Sequence, residues 1–200
     1  DKGWSRGWLM GWRDICRSTD ERTVIASVVP RVAVGHTMPL LMTEHSAPRI
    51  AALLANLLSL TLDFVARVKV GGTHLTYGYL KQFPMFAPDR YTDADLAYIL
   101  PRVLELTYTA HDLAPWARDL GFEGPPFAFD PERRARLRAE LDAYYAGLYG
   151  LTRDELRYIL DPADVMGEDY PSETFRVLKN NEMRAFGEYR TGRLVLEAWD

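Results

Sequence analysis

The sequence predicts an α+β fold, in which a small mixed β-sheet and a long central helix are followed by a mainly helical carboxy-terminal region. Two observations carry this prediction. Short apolar and β-branched runs, punctuated by proline and glycine, crowd residues 4–42 and are typical of strands. Beyond residue 46, apolar residues recur mainly at helical spacing. The chain has 200 residues, of which 48% are hydrophobic, so it has enough apolar material for a substantial core.

The predicted strands lie mostly before residue 43. Three tryptophans at a spacing of four within 4–12 would share one helical face. Interleaved glycines weaken that helix, and an irregular or partly extended segment fits equally well. Residues 24–29 are rich in β-branched side chains and predict a buried strand. A second short strand is expected at 32–34 and a third at 38–42, where Pro39 favours a sheet edge.

The central helix is expected over residues 47–68, because apolar residues cover most of its surface. Ser46 can cap its start, and the two glycines at 71–72 end it. A short helix at 77–81 and an edge strand at 83–86 are expected to follow.

The sequence beyond Pro88 is amphipathic and predicts helices. Asp130 followed by proline is typical of a helix start, and Thr152 with Glu155 forms a capping box. The expected segments are 91–111, 132–149, 152–160, 171–186 and, as a helix or a strand, 189–199.

The charges are distributed unevenly along the chain. Its net charge is −4, yet residues 1–85 hold 10 Lys and Arg against 6 Asp and Glu, whereas residues 86–200 hold 14 against 22. Such an asymmetry predicts that the first part meets an anionic partner. The alternative is that these charges only solvate the surface.

The cysteine content and the chain start bear on location. Cys16 is the single cysteine, so the chain forms no internal disulfide, which fits a reducing cytoplasm. No stretch reaches about 18 apolar residues without a charge, so no membrane span is expected. The chain begins with Asp1 rather than methionine, and we expect it to be a piece of a longer polypeptide.

Catalytic motifs are missing from the sequence. The four histidines are far apart, and none forms a metal-binding pair at helical spacing. There is no Gly-x-Ser-x-Gly nucleophile motif, no phosphate-binding loop and no dinucleotide fingerprint. Arg17 follows Cys16 and would favour its thiolate, but a buried structural cysteine is the preferred interpretation. The sequence therefore predicts no catalytic residue and no metal site.

Binding chemistry remains, and its residues are concentrated in the first 85 positions. Lys and Arg neutralise phosphates, whereas Thr, His and Gln side chains can read base edges. The glycines at 71–72 would let backbone amides approach a phosphate. The candidate DNA-binding residues are Arg13, Arg17, Arg22, Arg31, Lys69, Thr73, His74, Thr76, Lys81 and Gln82. The alternative is a structural role, with Arg13 and Arg22 in ion pairs and Thr73 in a turn.

Several short motifs occur in a characteristic order. They are GWRDI (11–15), VKVGGTHL (68–75), KQFP (81–84), ELTYT (105–109), GPPF (124–127), LYGLTRD (148–154) and GEYRT (187–191). This series resembles the carboxy-terminal part of large bacterial N6-adenine DNA methyltransferases of restriction–modification and phage-defence systems, including type II G enzymes. The KQFP step is also similar to the end of recognition domains in type I specificity subunits.

The resemblance implies a target-recognition-like α+β region at 1–88 and a helical carboxy-terminal extension at 89–200. The family's S-adenosylmethionine loop and its Asn-Pro-Pro-Tyr-type motif are missing here, so this fragment alone is not expected to methylate. The cofactor would then belong to the parent protein, with none in this fragment. The expected partners are double-stranded DNA and the methyltransferase core. The alternative is a structural or docking domain of the same protein without direct DNA contact.

Overall fold

A computed structural model describes residues 3–170 and 174–200 of the chain. Within them the fold is α+β and mostly helical, as predicted. One sheet holds β1 (Trp8–Trp12), β2 (Ala26–Pro30) and β3 (Leu40–Leu41). The described residues form ten α-helices, which are α1 (Ala47–Leu58), α2 (Leu60–Lys69), α3 (Tyr77–Leu80), α4 (Asp93–Thr107), α5 (Ala114–Asp119), α6 (Pro131–Leu148), α7 (Arg153–Leu160), α8 (Ala163–Met166), α9 (Arg176–Phe186) and α10 (Arg190–Trp199).

The sheet is antiparallel throughout, in the order β2-β1-β3, rather than mixed. β1 is its central strand, and all five residues of β1 are buried. Trp8, Met10 and Trp12 alternate along the strand and therefore lie on one face of the sheet. The tryptophan spacing of four fits a strand as well as a helix, because any even spacing keeps side chains on one sheet face.

The strands differ from the predicted ones where backbone amides donate hydrogen bonds to groups other than a neighbouring strand. β2 begins at Ala26, because the amides of Thr23 and Val24 donate to the carboxylate of Asp63 instead of a strand. Residues 32–34 form an irregular loop rather than a strand. Residues 83–86 are not a strand either. The amides of Phe83 and Met85 make local turn contacts, and the amide of Phe86 donates to the side chain of Asn56 at 3.0 Å.

The predicted central helix is two helices joined at Ser59, with a bend of 59°. The Ser59 hydroxyl donates to the carbonyl of Asn56 at 2.8 Å and accepts the amide hydrogen of Leu62, so it ends α1 and caps α2. No single helix among the described residues is long and apolar enough to cross a membrane. By length and composition, α1 and α2 pass that test only as a bent pair.

Most of the carboxy-terminal helices follow predicted segments, whereas the short helices α5 and α8 lie outside every predicted segment. α6 starts at Pro131, with the Asp130 side chain accepting two amide hydrogens, and α7 starts behind the capping box of Thr152 and Glu155. α4 ends at Thr107, short of the predicted end near 111. The last segment is a helix, α10, rather than a strand. α9 begins at Arg176, and residues 171–173 of the predicted helix lie outside the described residues.

Two apolar clusters form the core. The larger one joins β1, β2, α1, α4 and part of α6, so it combines residues from both sides of position 88. The smaller one joins α6, α7 and α10 around Leu60 and Phe175. The helical region therefore packs directly against the first region, and the domain boundary at residue 88 stays a prediction.

Gly11→Ala is expected to lower the free energy of unfolding by about 1–3 kcal/mol. A β-carbon at position 11 would lie 2.5 Å from the backbone oxygen of Pro39, so the loop that carries Pro39 has to move. The same oxygen accepts the amide hydrogen of Trp12 at 3.2 Å. Urea denaturation measures the loss. Gly71→Ala is the control, because a β-carbon there meets no atom within 4 Å; equal losses in both variants would contradict this account.

Candidate nucleic-acid interface

The segment after β1 pairs with the polar loop after α2. The amide of Cys16 donates to the carbonyl of Thr73 at 3.0 Å, and the amide of Leu75 donates to the carbonyl of Asp14 at 2.7 Å. These two bonds bring together residues that are about 60 positions apart in the sequence. Side chains of the intervening residues, Ile15 and His74, are exposed.

A third segment, the loop between β2 and β3, lies on the other side of the segment after β1. The amide of Asp14 donates to the carbonyl of Thr37 at 2.9 Å, and the amide of Met38 closes a turn onto Gly35. We call the exposed residues of 13–17, 35–38 and 73–77 the three-segment face. Its backbone is fixed by hydrogen bonds between segments, so its exposed side chains project from a defined frame.

Trp12 anchors this face to the core. Its side chain is 1% exposed, and its indole nitrogen donates to the carbonyl of Leu75 at 2.7 Å. The ring of Tyr77 packs edge-on against it, with 4.6 Å between the ring centroids, and the Tyr77 hydroxyl donates to the carbonyl of Leu40. The central strand, the polar loop and β3 are thereby joined at one point.

The charged groups of the three-segment face differ in how strongly they are paired. Nδ1 of His74 lies 2.6 Å from a carboxylate oxygen of Asp14, while Arg13 makes a longer and exposed contact of 3.6 Å with Asp20. Arg17 is exposed and forms no ion pair with any described residue. An open hollow lies between Arg13 and Arg17. An exposed guanidinium without an acidic partner is available to an external anion.

Cys16 lies beneath these groups as a buried thiol. The residue is 1% exposed, and burial raises the pKa of its thiol although Arg13 lies near and acts in the opposite direction. The thiol is therefore protonated at neutral pH. This agrees with the interpretation of Cys16 as a buried structural cysteine.

The structure brings five of the ten candidate residues onto the three-segment face, and they are Arg13, Arg17, Thr73, His74 and Thr76. Lys69 ends α2 just before this loop, and Lys81 follows α3 just behind it. Both lysines are exposed and have no ion pair within the part of the chain that the structure describes. Gln82 is exposed, and its side-chain amide donates to the carbonyl of Gly78 at 2.9 Å.

Two candidates lie away from the face. Arg22 points toward α6, where it pairs with the buried carboxylate of Asp142 at 3.4 Å and also donates to the carbonyl of Leu58. Arg31 follows the other end of β2, and its amide donates to the carbonyl of Gly7. The antiparallel register of β1 and β2 explains this placement, because it pairs Trp8 with Pro30 at that end.

Three exposed residues of the face with polar side chains were not among the sequence candidates: His36, Thr37 and Tyr77. The signal for two of them was the Gly35-His36-Thr37 stretch between two apolar runs, which is typical of a turn on a sheet edge. Tyr77 was assigned to a helix, and its position over Trp12 depends on the tertiary packing of the loop.

The arrangement provides cations, imidazoles and hydroxyls on one side of a rigid frame. Within residues 3–170 and 174–200, no cluster of three or more His, Cys, Asp or Glu side chains can hold a metal ion. Its side chains can form hydrogen bonds, and its arginines can bind anions. Comparison of the chain with protein-family models, curated proteins and solved structures finds no match.

Proposed function

We propose that this chain is the DNA target-recognition module of a larger N6-adenine DNA methyltransferase that serves restriction–modification or phage defence in the cytoplasm. In this proposal the chain itself is not catalytic, and the parent protein supplies S-adenosylmethionine and the methyltransferase core. The observation that carries it is the pairing of residues 14–16 with 73–75, which puts two arginines beside a polar, exposed loop.

The charge pattern supports an anionic partner on this side of the molecule. Arg17, Lys69 and Lys81 are exposed, and none of the three has an ion pair among the described residues. Many arginines of the helical region are already bound to acids, for example Arg102 to Glu140 at 2.7 Å. Lys and Arg side chains that neutralise phosphates displace the counterions condensed on the DNA, and this release supplies a large share of the affinity for DNA.

The hydrogen-bonding groups of the face support base reading. Nδ1 of His74 lies 2.6 Å from a carboxylate oxygen of Asp14, and in the neutral tautomer whose Nδ1 donates to this oxygen, Nε2 is an acceptor. Such an acceptor can receive a hydrogen bond from the amino group of adenine or cytosine in the major groove. Thr73 and Thr76 add hydroxyls that both donate and accept.

The mechanism in the parent protein follows from the chemistry of base methylation. The target adenine has to leave the duplex before its amino group can enter a catalytic pocket. A rigid module that holds the neighbouring phosphates and reads adjacent base edges would fix the duplex during this step. The three-segment face is suited to that role because its frame is tied to the core through Trp12.

A docking domain without DNA contact is the second candidate. Ile15 is 50% exposed and Tyr77 is 46% exposed on the same face, which is also the pattern of a protein contact. In that case the face would bind the methyltransferase core, and the unpaired cations would only solvate it.

The test is fluorescence anisotropy of the chain with duplex DNA over a series of salt concentrations. We expect Arg17→Ala to weaken binding to all sequences alike and to reduce the slope of log affinity against log salt by about 0.9. Arg136→Ala is the matched control, because Arg136 is an exposed arginine on α6 without an ion pair to any described residue. The affinity of Arg136→Ala for DNA is expected to equal that of the unsubstituted chain.

Two results would contradict the proposal. One is the absence of any DNA binding at about 50 mM salt, where phosphate contacts are strong. The other is an equal loss of affinity in Arg17→Ala and Arg136→Ala, since binding would then reflect overall charge rather than this face.

A further inference from the structure

A separate cavity of about 380 Å³ lies between β2, α1, α4 and α6. Its wall is apolar, with Val24, Leu54, Val103 and Leu141 among the buried side chains that line it. At the mouth Leu58 is 38% exposed. The volume falls within the range of small-molecule sites, which is roughly 300–1,000 Å³. None of the three segments of the face contributes to this lining.

Three arginines line one side of the cavity. Arg134 and Arg138 are one turn apart on α6, and Arg22 reaches in from the segment before β2. Nε and Nη1 of Arg134 are buried and have no hydrogen-bond partner among the described residues. Arg138 has no ion pair in the part of the chain that the structure describes. Within the described residues, two buried nitrogens of Arg134 thus lack a hydrogen-bond acceptor, although its guanidinium lies 4.5 Å from the ring centroid of Phe129. Arg138 is exposed and adds a second guanidinium without an ion pair.

Among the described residues that line the cavity, one carboxylate faces three arginines. Glu105 also acts on Arg134 from outside the lining, but Arg133 binds it at 2.9 Å. Asp142 is the lining carboxylate, and it is used by Arg22 at 3.4 Å and by the amide of Leu60 at 2.7 Å. Burial raises the pKa of Asp142, although the charge of Arg22 opposes this. The pKa of Arg138 is lowered by partial desolvation and then by the neighbouring cations Arg134 and Arg22. The site thus combines positive charge with an apolar wall. A bound anion would reduce the repulsion between the guanidinium groups.

We propose that this cavity binds a small carboxylate with an apolar body, such as a medium-chain aliphatic acid. The carboxylate would bind the guanidinium groups of Arg134 and Arg138, whose planar donors match its two oxygens. The hydrocarbon body would lie against Leu54, Val103 and Leu141. A free phosphate would leave that wall unused. The proposal does not depend on DNA binding, since the three-segment face has no part in it.

The test is isothermal titration calorimetry of the chain with octanoate, octylamine, octanol and inorganic phosphate as probes. We expect octanoate to bind more tightly than each of the other three, because it alone presents both a carboxylate and a hydrocarbon body. Arg138→Gln is expected to weaken octanoate binding roughly tenfold, the loss of one charge-assisted contact. Leu106→Trp puts a larger side chain into the lining and so reduces the volume of the cavity. It is expected to weaken octanoate binding as well.

Arg136→Gln is the matched control for the charge, because it lies on the same helix but does not line the cavity. Its affinity for octanoate is expected to stay unchanged. Thermal melting without ligand checks that each variant is folded. Octylamine, octanol or phosphate binding as tightly as octanoate would overturn the proposal. Unchanged octanoate affinity in folded Arg138→Gln would overturn it as well.

Discussion

Replacement of Asp63 by asparagine is expected to lower the free energy of unfolding by about 3–5 kcal/mol, the usual cost of breaking a buried ion pair. Asp63 is 1% exposed and accepts the amide hydrogens of Thr23 and Val24 at 2.9 and 2.7 Å. It also binds Nε of Arg67 at 3.0 Å. Asparagine offers one acceptor oxygen in place of two and no charge, so buried donors are left without partners.

Arg67 extends the consequence of this change to two loops. Its guanidinium donates to the carbonyls of Ser18 and Thr174 at 2.9 and 3.0 Å, and it lies over the ring of Phe175. Loss of its counter-ion therefore loosens the contact between the segment before β2 and the carboxy-terminal helices. Denaturation with urea, followed by far-ultraviolet circular dichroism, measures the effect.

Asp89→Asn is the control for this prediction. Asp89 also pairs with an arginine, Arg49 at 3.0 Å, but its side chain is 92% exposed. Exposed pairs contribute about 0–1 kcal/mol, so a loss within that range is expected. If Asp63→Asn were as mild as Asp89→Asn, the role given to the buried carboxylate would be wrong.

Trp12→Ala is expected to cost about 3–5 kcal/mol of unfolding free energy, which is typical of removing a buried tryptophan. The change removes the indole from the core and also leaves the carbonyl of Leu75 without its hydrogen bond. The edge contact of Tyr77 is lost with it. We expect faster amide hydrogen exchange over residues 73–77 than in the parent chain, because the loop loses its anchor.

Trp12→Phe separates the two effects. Phenylalanine keeps an aromatic ring beside Tyr77 but cannot donate to Leu75, so a loss of about 1–3 kcal/mol is expected. Unchanged exchange over 73–77 in both variants would show that the loop is held by other contacts, and the three-segment face would lose its proposed support.

Local signals in the sequence predicted most of the helices. α6 and α7 carry their start signals in the chain itself, at Asp130 and Thr152, and these caps are present. The break between α1 and α2 was missed because apolar periodicity passes through Ser59 without interruption. Its hydroxyl ends α1 by donating a hydrogen bond to the carbonyl of Asn56. The pattern of apolar residues gives no sign of this bond.

The strands were harder to predict, because their pairing depends on distant groups. The start of β2 is set by Asp63 in α2, some 40 residues away. The 83–86 segment has apolar residues and flanking prolines, yet it finds no neighbouring strand. Strand propensity describes a side chain that suits a half-buried sheet, and the neighbour that would complete the sheet lies outside the local sequence.

The candidate site was predicted only in part, because it too depends on contacts between residues distant in the sequence. The candidates Arg13, Arg17, Thr73, His74 and Thr76 are all exposed. Their proximity comes from backbone pairing that residue type does not reveal. Arg22 was a reasonable candidate by charge. It forms an ion pair instead, which was the alternative, and its partner Asp142 could not be identified from the sequence because it is 120 positions away.

The most direct test of the central claim is photo-crosslinking of the chain to duplex DNA that contains bromodeoxyuridine, followed by mass spectrometry of the crosslinked peptides. This measurement locates the contact rather than inferring it from affinity. If the three-segment face meets DNA, crosslinks are expected in the peptides that contain residues 13–17 or 73–77. Crosslinks confined to α6–α10 would contradict the account. So would a crosslinking yield no higher than that of a control protein with the same net charge.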